Sequence, residues 1–225
     1  MIEKFNIHIS DDEIKKLHQK ITLTRWPDEI NDEYWSYGTG MSFLKDLSYE
    51  WLNSFDWRAH EDEINKIGSY KFKSNSGLKI HFLHSKSDKE GAVPLIMTHG
   101  WPGSIQEFLK IIPIIHRKSK IPIDIICPSM PGFGFSDKPT EKGMNSEKIA
   151  KIQHELMCAL NYDKYIVQGG DWGATVSKWM AELYPSNCIG IHLNLVIAFP
   201  PDNQDPMQGV TENELKLLEN FNKYK

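Results

Sequence analysis

Apolar and polar positions follow two rhythms along this chain, and the change falls near residue 68. Before that point the spacing is helical. Ile14, Leu17 and Ile21 recur at i, i+3 and i+7, behind the pair Ser10-x-x-Glu13. That pair reads as a capping box, in which the serine oxygen accepts from a first-turn N–H and the glutamate reaches back to the cap. Pro27 in RWPDEI ends this helix, since proline has no N–H to donate. Phe43, Leu44, Leu47, Trp51 and Leu52 give one apolar side to a second helix, from about Ser42 to Phe55. DWRAHEDEINKI reads as a third, from Asp56 to Ile67. Trp26, Trp35, Trp51 and Trp57 all fall here, more rings than so short a segment buries alone. It is expected to pack on the rest of the chain.

Beyond residue 68 strands and helices alternate. YKFKS and KIHFLHS flank the turn Asn75-Ser76-Gly77, a hairpin signal. PLIMTH (94–99), IDIIC (123–127), KYIVQGG (164–170) and IGIHLNLV (189–196) read as further strands. Between them, Ser104-x-x-Glu107 opens a helix through Phe108, Ile111 and Ile112. Ser146 caps one carrying Ile149, Ile152, Leu156 and Leu160, and another runs from Trp172 to Tyr184. Apolar strands alternating with helices predict an α/β fold with a mostly parallel sheet covered on both faces. Ligands bind such sheets at the C-terminal ends of the strands. HGWPG, PGFGFSD and GGDWG all fall at such ends.

Composition narrows the field. The 225 residues carry 26 basic and 30 acidic side chains, net charge -4, which predicts neither nucleic acid nor an anionic membrane as partner. Cys127, Cys158 and Cys188 are widely spaced, fit no metal or disulfide framework, and are expected to be small buried hydrophobes. The first residues lack a signal-peptide pattern, and no apolar run has the length of a membrane span. A cytoplasmic location without membrane anchor is the expectation, with neither cofactor nor metal.

The chemistry concentrates in Gly169-Gly170-Asp171-Trp172-Gly173. Its spacing is that of a nucleophile elbow, G-x-S-x-G, with aspartate where serine stands. A carboxylate is ionised at neutral pH without a base. It attacks an sp³ carbon that carries its own leaving group, such as an epoxide or alkyl halide, to form an ester. The plainer reading is that Asp171 is only a helix N-cap. In HGWPG, Trp101 is placed to offer one oxyanion N–H and Trp172 the other. His99, Gly100 and Pro102 complete that wall, and the plainer reading is a Gly-Pro turn over a buried histidine. Phe133 and Phe135 in PGFGFSD are either an apolar pocket wall or packed turn residues.

RWPDEI, FDWRAHEDEIN, HGWPGSIQEFLKIIP, CPSMPGFGFSDKP and QGGDWGATVSKWMAELYP together resemble epoxide hydrolases of the microsomal and juvenile-hormone type. The likeness runs from about residue 3 to about residue 200. It implies an α/β-hydrolase fold, of which the first six strands are present, preceded by a small helical N-terminal segment. It divides the chain into that segment at 1–67, the N-terminal part of the hydrolase domain at 68–200, and the start of a cap at 201–225. It also implies Asp171 as nucleophile, Trp101 and Trp172 as backbone oxyanion donors, a cis bond at Trp101–Pro102, a small apolar epoxide as substrate and a vicinal diol as product. The family's cap tyrosines, catalytic histidine and orienting acid match nothing here. The chain is therefore expected to be a C-terminally truncated member, with IGIHLNLV as a bare apolar edge. A C-terminal half or a second copy is the expected partner. Two other readings stay open: a haloalkane dehalogenase, which shares the aspartate elbow, and a non-catalytic truncated or split fragment.

Overall fold

A mixed seven-stranded sheet carries the unit Met1–Asn194. The computed structural model describes residues 1–30, 35–197, 205 and 207–223. In chain order the elements are β1 (Ile2–Lys4), α1 (Asp11–Thr22), α2 (Met41–Asn53), α3 (Trp57–Ile67), β2 (Ser69–Lys73), β3 (Lys79–Ser85) and β4 (Val93–Thr98). A 3-10 turn at Ile105–Phe108 then leads to α4 (Ile111–Lys118), β5 (Ile123–Pro128), α5 (Ser146–Ala159), β6 (Tyr165–Gly169), α6 (Trp172–Leu183) and β7 (Cys188–Leu193). A second unit, Leu195–Lys225, holds α7 (Glu212–Asn222). Thr211 and Glu214 cap α7 reciprocally: the Thr211 N–H donates to the Glu214 carboxylate at 2.8 Å, and the Glu214 N–H to the Thr211 hydroxyl at 3.4 Å. Of the expected cap start at 201–225, residues 201–204, 206, 224 and 225 lie outside the described residues.

The strand order is β1-β2-β3-β5-β4-β6-β7, antiparallel as far as β5 and parallel from β5 to β7. All six expected strands form, and β1 is a seventh that sequence reading overlooks. It is three residues long, two of them charged, and pairs with β2 at the sheet edge. The chain leaves β4 to one side for β5, then crosses back to the other side for β6. In α/β sheets ligands bind outside the C-terminal strand ends at such a reversal, which here means the ends of β4 and β6. The loops that follow these two strands hold HGWPG and GGDWG.

Apolar side chains fill both faces. Phe82, Ile96, Ile126, Tyr165 and Val167 meet Leu156 and Met157 of α5 and Val176 and Met180 of α6. On the opposite face Leu83, Met97 and Ile125 meet Ile64 of α3, Phe108 of the 3-10 turn and Ile112 of α4. Each such side chain, fully buried, contributes roughly 1.5–3 kcal/mol. β7 closes the edge, with Ile189 and Ile191 exposed as the bare-edge expectation required. Of the cysteines only Cys127 is buried. Cys158 is exposed near the end of α5 and Cys188 is intermediate, because the helix turns Cys158 away from the face that packs.

The N-terminal helices differ in how they are held. α1 and α2 fall where expected but bury no residue, and Trp35 and Trp51 are exposed. The expected burial of the tryptophans is therefore only partly met. α3 is anchored, and it in turn anchors an extended strap. The Phe5 N–H donates to Ser69 O at 2.9 Å, the Ile7 N–H to Asn65 Oδ1 at 2.9 Å and the Ile9 N–H to Glu61 Oε1 at 2.6 Å. The Asn65 amide returns a bond to Ile7 O at 2.9 Å. Alternate residues of an extended run point the same way, so side chains of α3 serve here as a partner strand.

Candidate active site

Asp171 sits between β6 and α6 with φ 52° and ψ -129°, a conformation that costs an L-residue strain. The turn is tight because its flanking residues lack side chains. A Cβ on Gly169 would lie 2.0 Å from Gly173 O, and one on Gly173 would lie 2.0 Å from Thr98 O. β6, α6 and the end of β4 thus approach at backbone contact.

The Asp171 side chain does not cap α6. A capping aspartate accepts from the second or third helical N–H. Here the Ala174 N–H is taken by the carbonyls of Gly170 and Asp171. The carboxylate turns instead to the loop after β4, where Oδ1 accepts the Trp101 N–H at 2.8 Å. That bond, followed by the Trp172 N–H, holds the exposed carboxyl below its ordinary pKa. The Trp101 N–H of the loop after β4 bonds this carboxyl group, and the Trp172 N–H at the start of α6 lies beside it.

The Trp101 N–H is aimed by its own peptide plane. Gly100 O accepts from the Gly103 N–H at 3.1 Å and from His99 Nδ1 at 2.8 Å. His99 Nε2 accepts the Met130 N–H at 3.1 Å, so the ring proton is on Nδ1. Burial keeps this imidazole below its usual pKa and therefore neutral at pH 7, outweighing the Gly100 carbonyl. With the Gly100 C=O fixed by two donors, the N–H at the other end of the same planar peptide must point to Asp171. The Trp101–Pro102 bond is cis.

Of the residues singled out from sequence, the structure brings His99, Gly100, Trp101, Asp171 and Trp172 together. Pro102 follows on the same loop. The indoles of Trp101 and Trp172 stand open, 63% and 55% exposed. The two phenylalanines part company. Phe133 packs edge-on against His99, centroids 5.3 Å apart, whereas Phe135 lies against Phe5 and His81. Phe135 also lines a cavity of about 940 Å³ with Leu17, Trp51, Trp57 and Ile105, and Asp171 is not among its lining residues. Glu107 was expected to cap Ser104. The Ser104 hydroxyl accepts from the Gln106 N–H at 3.2 Å, and the Glu107 carboxylate faces the Gly100 N–H instead. Among the described residues no cluster of side chains is suited to hold a metal ion. Among them, too, no helix is long and apolar enough to cross a membrane.

Known proteins resemble this chain in sequence and fold. The epoxide hydrolase N-terminus family matches residues 2–108, and the alpha/beta hydrolase fold family matches residues 93–223. Epoxide hydrolase 1 of Sus scrofa is 38% identical over 99% of this chain and 53% of its own length. The crystal structure of the juvenile hormone epoxide hydrolase of Bombyx mori superposes with a TM-score of 0.81 at 34% identity, over 87% of this chain and 53% of that one. The structure of Aspergillus niger epoxide hydrolase gives 0.82 at 27% identity, over 100% of this chain and 60% of that one. The chain spans about half the length of the curated relatives it matches. It belongs to the α/β-hydrolase family, in the epoxide hydrolase branch whose N-terminal segment it carries.

Proposed function

We propose that this chain supplies the nucleophilic half of an epoxide hydrolase, with Asp171 as the attacking group. The observation that carries this reading is the Asp171 carboxylate, held off its own helix and bonded to the Trp101 N–H at 2.8 Å. In the first step the free carboxylate oxygen attacks a ring carbon of a small apolar epoxide. A C–O ester bond forms, the ring C–O bond breaks, and the ring oxygen leaves as an alkoxide that takes up a proton. No base is needed, because Asp171 is ionised well below neutral pH. In the second step water adds to the ester carbonyl. The Trp101 and Trp172 N–H groups stabilise the tetrahedral oxyanion, each such donor being worth about 10²–10³ in rate. Collapse returns the carboxylate and releases a vicinal diol.

The second step needs a general base, and His99 does not supply it. Both its ring nitrogens are already bonded, one to Gly100 O and one to the Met130 N–H. His81 likewise spends both nitrogens on the hydroxyls of Ser69 and Ser129. On this reading the base is supplied by polypeptide beyond these residues, and alkylation is the step this chain performs by itself. The exposed apolar edge at β7 favours such a completing segment, and size-exclusion chromatography with a C-terminal half tests it. The same reading places the protein in the cytoplasm and gives it no cofactor.

Parallel incubations with styrene oxide and with 1-chlorobutane separate epoxide from halide chemistry. An epoxide adds its whole mass to the protein, whereas a chloroalkane adds an alkyl group and releases chloride. Epoxide addition without chloride release is the expected result. Chloride release with no epoxide adduct would identify a dehalogenase instead.

A further inference from the structure

We infer that Glu107 is a positioning residue for the proposed reaction: its carboxylate seats the 100–103 loop so that the Trp101 N–H meets Asp171. The inference rests on the reading of Asp171 as nucleophile. Three placements support it. Gly103 leaves a space that Glu107 occupies, since a Cβ there would lie 2.6 Å from Glu107 Oε1. The Gly100 N–H faces the same carboxylate. On its other side Gly100 abuts Asp171, where a Cβ would lie 2.5 Å from the Asp171 Cβ. The loop is thus lodged between two carboxylates, Glu107 against Gly103 and Asp171 against Gly100 and the Trp101 N–H.

The support under Glu107 is rigid. It belongs to the 3-10 turn whose Ile105 and Phe108 are buried among Ile112, Met97 and Ile125. The Glu107 N–H is tied to Ser104 O at 3.3 Å. His99 fixes the carbonyl of the Gly100–Trp101 peptide, and Glu107 fills the space beside Gly103 at the other end of the loop. Together they leave that loop no freedom to turn the Trp101 N–H away. Burial, and then the nearby Asp171 charge, push the Glu107 carboxyl above its ordinary pKa against the Gly100 N–H, consistent with a group set into the loop.

The test compares Glu107→Gln with Glu107→Ala. The glutamine keeps an acceptor oxygen for the Gly100 N–H and drops the charge, whereas alanine drops both. The readouts are the rate of styrene oxide addition to the protein, the proton shift of the Trp101 amide, and the titration of Asp171 followed by carbon NMR. Positioning predicts that Glu107→Gln stays within about threefold of the parent rate and keeps the Trp101 shift. Glu107→Ala is expected to fall about tenfold, the rate equivalent of one lost orienting hydrogen bond. Its Trp101 amide moves upfield and its Asp171 titrates higher than in Glu107→Gln.

A purely electrostatic role predicts that both variants behave alike, with Asp171 titrating lower in each. That outcome would overturn the inference. Gly103→Ala, which pushes a methyl into Glu107 Oε1, is the second probe should Glu107→Ala not fold. It is expected to reproduce the upfield Trp101 shift, and an unchanged shift contradicts the inference. If the parent protein forms no adduct at all, the nucleophile reading fails, while the amide shift and the titration still decide the role of Glu107.

Discussion

Cutting Glu61 back to alanine is expected to destabilise the fold by about 2–6 kcal/mol, the cost of leaving two partly buried donors without an acceptor at roughly 1–3 kcal/mol each. Glu61 is 3% exposed, and its carboxylate gathers three donors. Oε1 takes the Ile9 N–H at 2.6 Å and the Trp57 indole N–H at 3.0 Å, and Oε2 takes Arg58 Nη1 at 2.7 Å. Alanine leaves all three without an acceptor. Arg58 is open to water and also bonds Asp11, so its loss is small. The Ile9 and Trp57 donors are partly buried, and each left unpaired costs roughly 1–3 kcal/mol. Glu61→Gln is expected to lose much less, since its amide oxygen still serves Ile9 and Trp57 and only the Arg58 bond goes. Asp11→Asn, at a solvent-exposed partner of the same arginine, should leave the urea midpoint unchanged.

Urea unfolding followed by tryptophan fluorescence gives the three values, and amide exchange at Ile7 and Ile9 shows whether the strap loosens first. Burial pushes the Glu61 carboxyl up, but the Ile9 N–H, Arg58 and Trp57 outweigh it and hold it below its ordinary value. Its contribution is therefore present above the unfolded value of 4.5 and lost as pH falls through the lower folded one. A Glu61→Ala midpoint equal to the parent's, or equal losses in the alanine and glutamine variants, would refute the reasoning.

Three further outcomes are expected. Gly173→Ala should fail to fold, or lose more than about 3 kcal/mol by urea titration, because its methyl falls 2.0 Å from a backbone carbonyl that cannot withdraw. At Asp171 the positive φ of 52° favours glycine over alanine: Asp171→Gly should show a higher urea midpoint than Asp171→Ala, and a lower one would mean the elbow is unstrained. Burial lowers His81 to about 4 in the folded state, from 6.5 when unfolded. The unfolded chain then binds the extra proton between these values, so stability should decline on acidification across that window by on the order of 3 kcal/mol. His81→Gln should flatten the decline, and an unchanged slope would remove His81 as its cause.

Periodicity carried the sheet and its helices because each apolar run packs with the period of its own element. β4, β5 and β6 read as short apolar runs and form the parallel centre. The elbow was legible for the same reason, since an apolar strand, three glycines and a helix in that order leave few other geometries. What escaped were contacts between distant residues. Glu61 and Asn65 look like the polar face of a helix, yet they bind backbone 52 and 58 residues away. Ile2–Lys4 is too short to show alternation. Glu107 has capping-box spacing, but the missing side chain at Gly103 draws its carboxylate into the loop. Phe133 and Phe135 share one motif, and the turn between them sends one ring to His99 and the other to His81. The cis bond at Pro102 had no signal in the residues themselves and came only with the resemblance.

The most direct measurement is peptide mapping by tandem mass spectrometry after exposure to styrene oxide, with Asp171→Asn alongside. The exposed thiol of Cys158 makes localisation essential, because epoxides also alkylate thiols. A single hydroxyalkyl ester on Asp171, and none in Asp171→Asn, is the expected result. Modification confined to Cys158, or equal labelling of the Asp171→Asn variant, would contradict it.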